Sequence, residues 1–346
     1  MIDPHVHLRD WEQSEKESLA HGLMVAKACK IAALFDMPNT NPPLTTRDAI
    51  VRRLNDAAAL DSGVSYHIWA GLTAKPEQIR EAVAIVDEFY PSVVGLKFFA
   101  GHSTGNMGLV DEGLQRSVYH HLAEANYEGV VALHCEKESL LEPHLYDPAD
   151  FATHSKARPP ASEVASITDQ VRLADEAGFG GHLHICHLST IEGLQVVEQA
   201  RVAGVRISCG VTAHHLLLSE ADASNRSLWA KMNPPLRSES QRRALFEAAV
   251  DGRIDWLETD HAPHTIADKE GGASGIPGFS GLLLAIRALI DSKVGPKQLE
   301  RMLGGAVIEL FGLEGIAVTI PSYEELSTLS DWAARQYPYD SFALLR

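Results

Sequence analysis

Four glycines, Gly129, Gly178, Gly204 and Gly252, each stand between an amphipathic stretch and a β-rich run. They precede Val130-Val131-Ala132-Leu133, the run into His182-Leu183-His184-Ile185, Val205-Arg206-Ile207-Ser208, and Arg253-Ile254-Asp255-Trp256-Leu257. A helix that must stop and give way at once to a strand needs a left-handed residue, which glycine supplies without steric cost. The pattern is the helix-to-strand half of a βα unit, four times over. Extended along the chain, it predicts eight strands near 2–7, 31–37, 64–71, 93–99, 130–134, 182–187, 205–209 and 256–259, each followed by a helix. Alternating strands and helices imply a parallel sheet, and eight repeats in a little over 300 residues fit a (β/α)8 barrel of the TIM type better than an open sheet.

The helices keep helical spacing. Val164, Ile167, Val171 and Ala174 share one face, as do Leu114, Val118 and Leu122, and Ser189-Thr190-Ile191-Glu192 resembles a capping box. Three connections, 101–110, 137–160 and 212–238, are too long for turns. All follow strands, so in a barrel they lie at the C-terminal face, where such folds put chemistry.

Composition agrees. With 346 residues, 45% apolar and 22% charged, disorder is excluded, and a barrel can use the whole length as one domain. No apolar run approaches the roughly 20 residues that span a bilayer, and the start lacks a basic or apolar targeting segment, so a soluble cytoplasmic protein without a membrane partner is expected. Cys29, Cys135, Cys186 and Cys209 form no CxxC pair, which argues against a disulfide framework or a thiolate zinc site. A net charge of −16 would repel a phosphate backbone, so nucleic acid is not an expected partner. Seventeen histidines are the oddity, because histidine is the commonest metal ligand.

On the predicted strands, His5, His7, Lys97, His134, His187 and Asp260 fall at or near C-terminal ends, which converge on one axis in a barrel. Residues i and i+2 of a strand point the same way, so His5 and His7 can reach one ion. An isolated histidine is more often packed or solvated than a ligand; four at three strand ends reverse that reading. Lys97, amid apolar neighbours, is open to two readings. It could snorkel, or it could lose its proton, add carbon dioxide and become a carbamate able to bridge two cations. Asp260 could act as ligand and proton carrier. For His261 and His264 a solvated loop position and a substrate contact are equally open.

DPHVHLRD at 3–10, DMPNTNPP at 36–43, GLKFF at 95–99, ALHCE at 132–136, HICHLST at 184–190, NPPLR at 233–237, TDHAPHT at 259–265 and GIPGF at 275–279 together resemble the dihydroorotases of the amidohydrolase superfamily, from about residue 1 to 312. The resemblance is to those with a lysine on the fourth strand. It implies two Zn2+ per chain, with His5, His7 and Asp260 on one ion, His134 and His187 on the other, and a CO2-derived carbamate on Lys97 and a hydroxide bridging them. It further implies reversible cyclisation of N-carbamoyl-L-aspartate to L-dihydroorotate in pyrimidine biosynthesis, with the hydroxide as nucleophile and Asp260 moving its proton. Arg9, Asn39 and His264 would hold the substrate carboxylate, and Asn233 and the backbone at Pro277 and Gly278 would contact the ring. Ser103 and Thr104 would contribute from a loop whose sequence departs from the family pattern.

Many relatives carry a small β-sandwich beside the barrel. Here the tail lacks its glycine-rich strand pattern, so a bare barrel over 1–312 is expected, with 313–346 as an extension packing on it. The missing flank leaves homo-oligomeric contacts open. Two rival readings stand: another cyclic-amide hydrolase of the allantoinase or dihydropyrimidinase type, and an inactive barrel scaffolding aspartate transcarbamoylase. The pairing of Arg9 with Asn39 speaks against the first and the complete ligand set against the second.

Overall fold

A computed structural model describes residues 1–102, 107–150, 152–222 and 227–346. Strands β1 (Ile2–Val6), β2 (Ala33–Asp36), β3 (Ser65–Gly71), β4 (Val93–Ala100), β5 (Val130–Cys135), β6 (His182–Ile185), β7 (Ile207–Thr212) and β8 (Trp256–Glu258) lie side by side in chain order, and every neighbouring pair is parallel. The sheet closes on itself. Val6 forms a parallel bridge to His261, and the His7 N–H donates to the His261 carbonyl at 2.7 Å. Thr259 donates from its backbone N and its Oγ1 to the two carboxylate oxygens of Asp3, at 3.1 and 2.6 Å. The result is the (β/α)8 barrel that the alternation predicts.

The helix stops follow the glycine reading with one exchange. Gly178, Gly204 and Gly252 have φ of 67°, 88° and 73°, whereas the left-handed residue before β5 is Asn126 at 52°. Gly129 serves space instead, because a Cβ there would strike the Tyr127 hydroxyl. β7 differs more from expectation, starting at Ile207 and running to Thr212. The Val205 N–H is held by the Ala200 carbonyl at the preceding helix end, and Val211 and Thr212 pair with Leu257 and Glu258. The helix Ile191–Val202 that precedes β7 is capped by Thr190, whose side chain accepts from Gly193 N, and not by Ser189, which donates to Glu163.

The inward face of the helix Pro160–Glu176 is also more polar than its spacing suggests. Ile167 and Ala174 are buried, but so are Ser162, Glu163, Ser166 and Gln170, while Val164 and Val171 are half-buried. Leu114 is exposed, while Val118 and Leu122 are buried.

At the end of the barrel opposite the strand C-termini, Phe311 of the helix Ala306–Phe311 packs edge-on against Phe35 and Trp69, with centroids 5.1 and 5.6 Å apart. Leu313 joins the same buried cluster. The helix Tyr323–Ala334 lies along the helix Phe279–Asp291, where Ser330 Oγ donates to the Ser280 carbonyl at 2.8 Å. Among the described residues there is no second sheet, and no helix is long and apolar enough to cross a membrane. Because Phe311 is 1% exposed, Phe311→Ala should cost about 3–5 kcal/mol of stability, read as a lower denaturant midpoint without loss of secondary structure.

Candidate metal centre

Side chains from β1, β4, β5 and the turns after β1, β6 and β8 meet at the barrel's C-terminal mouth. His5, His7, Arg9, Asn39, Lys97, His134, His187, Asn233 and Asp260 line one cavity, together with Phe99, Ala262, Ser274 and Gly275. Strand position explains the convergence. His5 lies within β1, Lys97 within β4 opposite Ala132 of β5, and His134 opposite Phe99. His187 and Asp260 lie just beyond their strands at φ of 39° and 47°, left-handed conformations that turn each side chain back over the mouth.

His7 Nε2 and His5 Nε2 stand 2.9 and 3.4 Å from Asp260 Oδ1, so three donor atoms face one point. Each imidazole has an acceptor behind it, hydrogen-bonded at His7 and facing the ring nitrogen without a hydrogen bond at His5. Asn39 Oδ1 accepts from His7 Nδ1 at 2.5 Å, and Glu258 Oε1 lies 3.4 Å from His5 Nδ1. A second pair faces the same cavity, with His134 Nδ1 3.1 Å from His187 Nε2 and His134 Nε2 3.1 Å from Glu136 Oε2. Arg158 in turn ion-pairs with Glu136. Lys97 is fully buried between the two groups, with its Nζ donating to Cys186 Sγ at 3.1 Å and lying 5.0 Å over the Phe99 ring.

Burial lowers His7 to about 4 and holds His134 below and His187 well below the imidazole range. All three are therefore neutral near pH 7, the form that offers a lone pair to a cation. For His5, burial is outweighed by Cys186 and Glu258, which push it up to about 10. Burial would raise Asp260, but the His7 hydrogen bond and the charge of His5 hold its carboxyl below the usual range. Three neutral imidazoles and an ionised carboxylate aimed at one space, with His5 able to join them once a cation displaces its second proton, are a donor set that fits divalent cations.

Around this cluster, Arg9 is 2% exposed, and its guanidinium meets the Pro263 carbonyl at 3.3 Å and His264 Nε2 at 3.3 Å. His264 does not line the cavity. It stands behind Arg9, with Nε2 3.0 Å from the Ser274 carbonyl, and burial and the Arg9 charge hold it at about 3. Asn233 lines the cavity with its Oδ1 2.8 Å from His154 Nε2. Pro277 and Gly278 lie away from the lining, which here comes from Ser274 and Gly275, and the Gly278 N–H donates to His261 Nδ1 at 3.0 Å. Gly275 has φ of 133°, and a Cβ there would lie 2.7 Å from the Ala262 carbonyl oxygen. Ser103 and Thr104 fall outside the described residues.

His261 is buried rather than solvated. Its Nε2 lies 3.0 Å from Glu17 Oε2, and Tyr337 donates to Glu17 Oε1 at 2.9 Å, so the C-terminal segment braces the turn that carries Asp260. Glu17, Glu136 and Glu258, which stand against His261, His134 and His5, are neighbours that motif reading missed. For the last two a signal existed: Glu136 is two residues from His134 and Glu258 two from Asp260, the same alternation that links His5 to His7.

No family model matches the chain. It is 35% identical over 320 residues to a dihydroorotase of Halobacterium salinarum, a match covering 91% of this chain and 72% of that protein. It is 32% identical over 339 residues to a dihydroorotase of Bacillus caldolyticus, covering 93% and 75%. Among solved structures, an L-hydantoinase (dihydropyrimidinase) from Arthrobacter aurescens aligns with a TM-score of 0.81 at 24% identity, over 91% of this chain and 71% of that one, a likeness of fold.

The Glu17 brace makes a pH prediction. Burial would raise this carboxyl, but His261, His21 and Tyr337 lower it from an ordinary 4.5 to about 2. Its contribution is complete above about pH 4.5 and is lost as pH falls toward 2, with an upper bound of about 3 kcal/mol by linkage. Unfolding followed from pH 7 to 3 should show a shallower acid loss in Glu17→Gln than in the parent protein; parallel curves would contradict the assignment.

Proposed function

Because the chain belongs to the dihydroorotase family, we propose that it is a cyclic-amide hydrolase that interconverts N-carbamoyl-L-aspartate and L-dihydroorotate at this mouth. The observation that carries the reading is Arg9, a buried guanidinium lining the same cavity as the converged histidines, whose hydrogen-bond partners are a carbonyl and an imidazole rather than a carboxylate. A cation so placed suits the carboxylate of a small substrate, which a planar fork can grip through two parallel hydrogen bonds.

His5, His7 and Asp260 would hold one zinc ion and His134 and His187 the other, with Lys97, as its carbamate, reaching both. Bound there, the metal pair would lower the pKa of water and polarise the ring amide carbonyl. Asp260 has its Oδ1 at the cluster and a carboxyl held ionised, so it is the group to accept a proton from the attacking water and return it to the leaving ring nitrogen. Asn39 acts through His7. By accepting at Nδ1 it fixes the proton there and leaves Nε2 free to ligate. His264 backs Arg9, and Asn233, aligned by His154, faces the ring.

Arg9→Met should lower kcat/KM for carbamoyl aspartate by about 30-fold or more, from the roughly 2–5 kcal/mol that a desolvated charge pair carries, while zinc content stays near that of the parent. Unchanged kinetics would reject the substrate assignment. Native mass spectrometry with elemental analysis should find two zinc ions and one carbon dioxide adduct per chain, and Lys97→Ala should lose the adduct; a metal-replete protein without it would remove Lys97 from the centre.

A further inference from the structure

Below the cavity, Glu258 is 1% exposed and points into the barrel from β8. Its Oε2 accepts from His184 Nε2 at 3.2 Å and from Trp256 Nε1 at 3.1 Å. Its Oε1 accepts from the backbone N–H of His187 and lies 3.4 Å from His5 Nδ1, a buried ring nitrogen that makes no hydrogen bond among the described residues and has this carboxylate oxygen facing it. Gly210 on β7 leaves space for this carboxylate, since a Cβ there would collide with Oε2.

One oxygen therefore touches a ligand of each candidate ion: the His5 ring from β1, and the backbone of His187 at its left-handed turn after β6. Resting on the metal-centre reading above, we propose that Glu258 is a positioning residue that sets the spacing between the two ions by gripping His5 and His187 together. At His5 it is the acceptor that faces Nδ1, so that when a cation displaces the other proton, Nε2 is the nitrogen that ligates. At His187 it holds the N–H that the positive φ turns inward, which fixes the direction from which the imidazole approaches. His184 and Trp256 hold the far oxygen and prevent the carboxylate from rotating off its two targets. Glu136 serves one ligand in the same manner, whereas Glu258 couples two that are 182 positions apart in the chain.

The test uses the full chain stripped of metal and reloaded. Zinc binding is followed by competition with a chromophoric chelator, and the absorption spectrum is read with Co2+ in place of zinc. Glu258→Gln keeps the length and loses the charge, while Glu258→Asp keeps the charge and withdraws it by one methylene. Both should weaken zinc binding about 10- to 100-fold and alter the Co2+ spectrum, with the metal-free proteins still folded by circular dichroism. If both variants bind zinc within about threefold of the parent and show its Co2+ spectrum, or if Glu258→Asp alone does so, the positioning role is wrong. Should Glu258→Gln fail to fold, Glu258→Asp decides on the same criteria. A parent protein that binds no zinc would instead sink the metal-centre reading, and this inference with it.

Discussion

Closure of the sheet between β1 and β8 is the constraint on which the site depends. A parallel sheet with free edges would leave unpaired N–H and C=O groups at both ends, and the chain draws the two edges together by bridging Val6 to His261 and tying Thr259 to the Asp3 side chain. Asp3 is wholly buried, and burial pushes its carboxyl up to about 7 against the two hydrogen bonds from Thr259. That closure brings residues 5 and 7 beside residue 260. Without it the candidate ligands of the first ion would belong to opposite edges of an open sheet.

The second organising feature is a layer of acceptors beneath the imidazoles. Asn39, Glu258 and Glu136 stand behind His7, His5 and His134 respectively, and each leaves the opposite ring nitrogen directed at the cavity. Burial keeps His7, His134 and His187 neutral, while Asp260 stays ionised because His5 and His7 surround it. Three neutral rings and one charged carboxylate form a preorganised site in which His5 alone must give up a proton when a cation binds. The carboxylates are compensated in turn, Glu136 by Arg158 and Glu258 by His184, so that no buried charge in this layer is left alone.

Much of this was legible in the chain because two periodicities write themselves into sequence. Glycine after an amphipathic run marked Gly178, Gly204 and Gly252, where the backbone is left-handed, and strand alternation paired His5 with His7. The motifs were harder to resolve to single atoms. Asn39 lines the cavity while its oxygen accepts from His7; His264 stands behind Arg9 instead of in the lining; and the backbone that lines the cavity comes from Ser274 and Gly275, with Pro277 and Gly278 lying away from it. A motif fixes which residues occur together, but a shift of two or three residues along a loop changes which of them faces the cavity.

The sequence by itself determined the alternation of strands and helices, the barrel, and the set of strand-end residues that line its mouth, because these follow from local spacing and residue type. Only the tertiary structure decided which groups stand behind the ligands. Glu258 reaching His5 and His187, and Tyr337 bracing Glu17 against His261, join segments up to 320 positions apart. Such contacts are set by how the closed sheet stacks its inward-facing side chains and where the tail crosses it, and no local pattern encodes a distance between residues that distant.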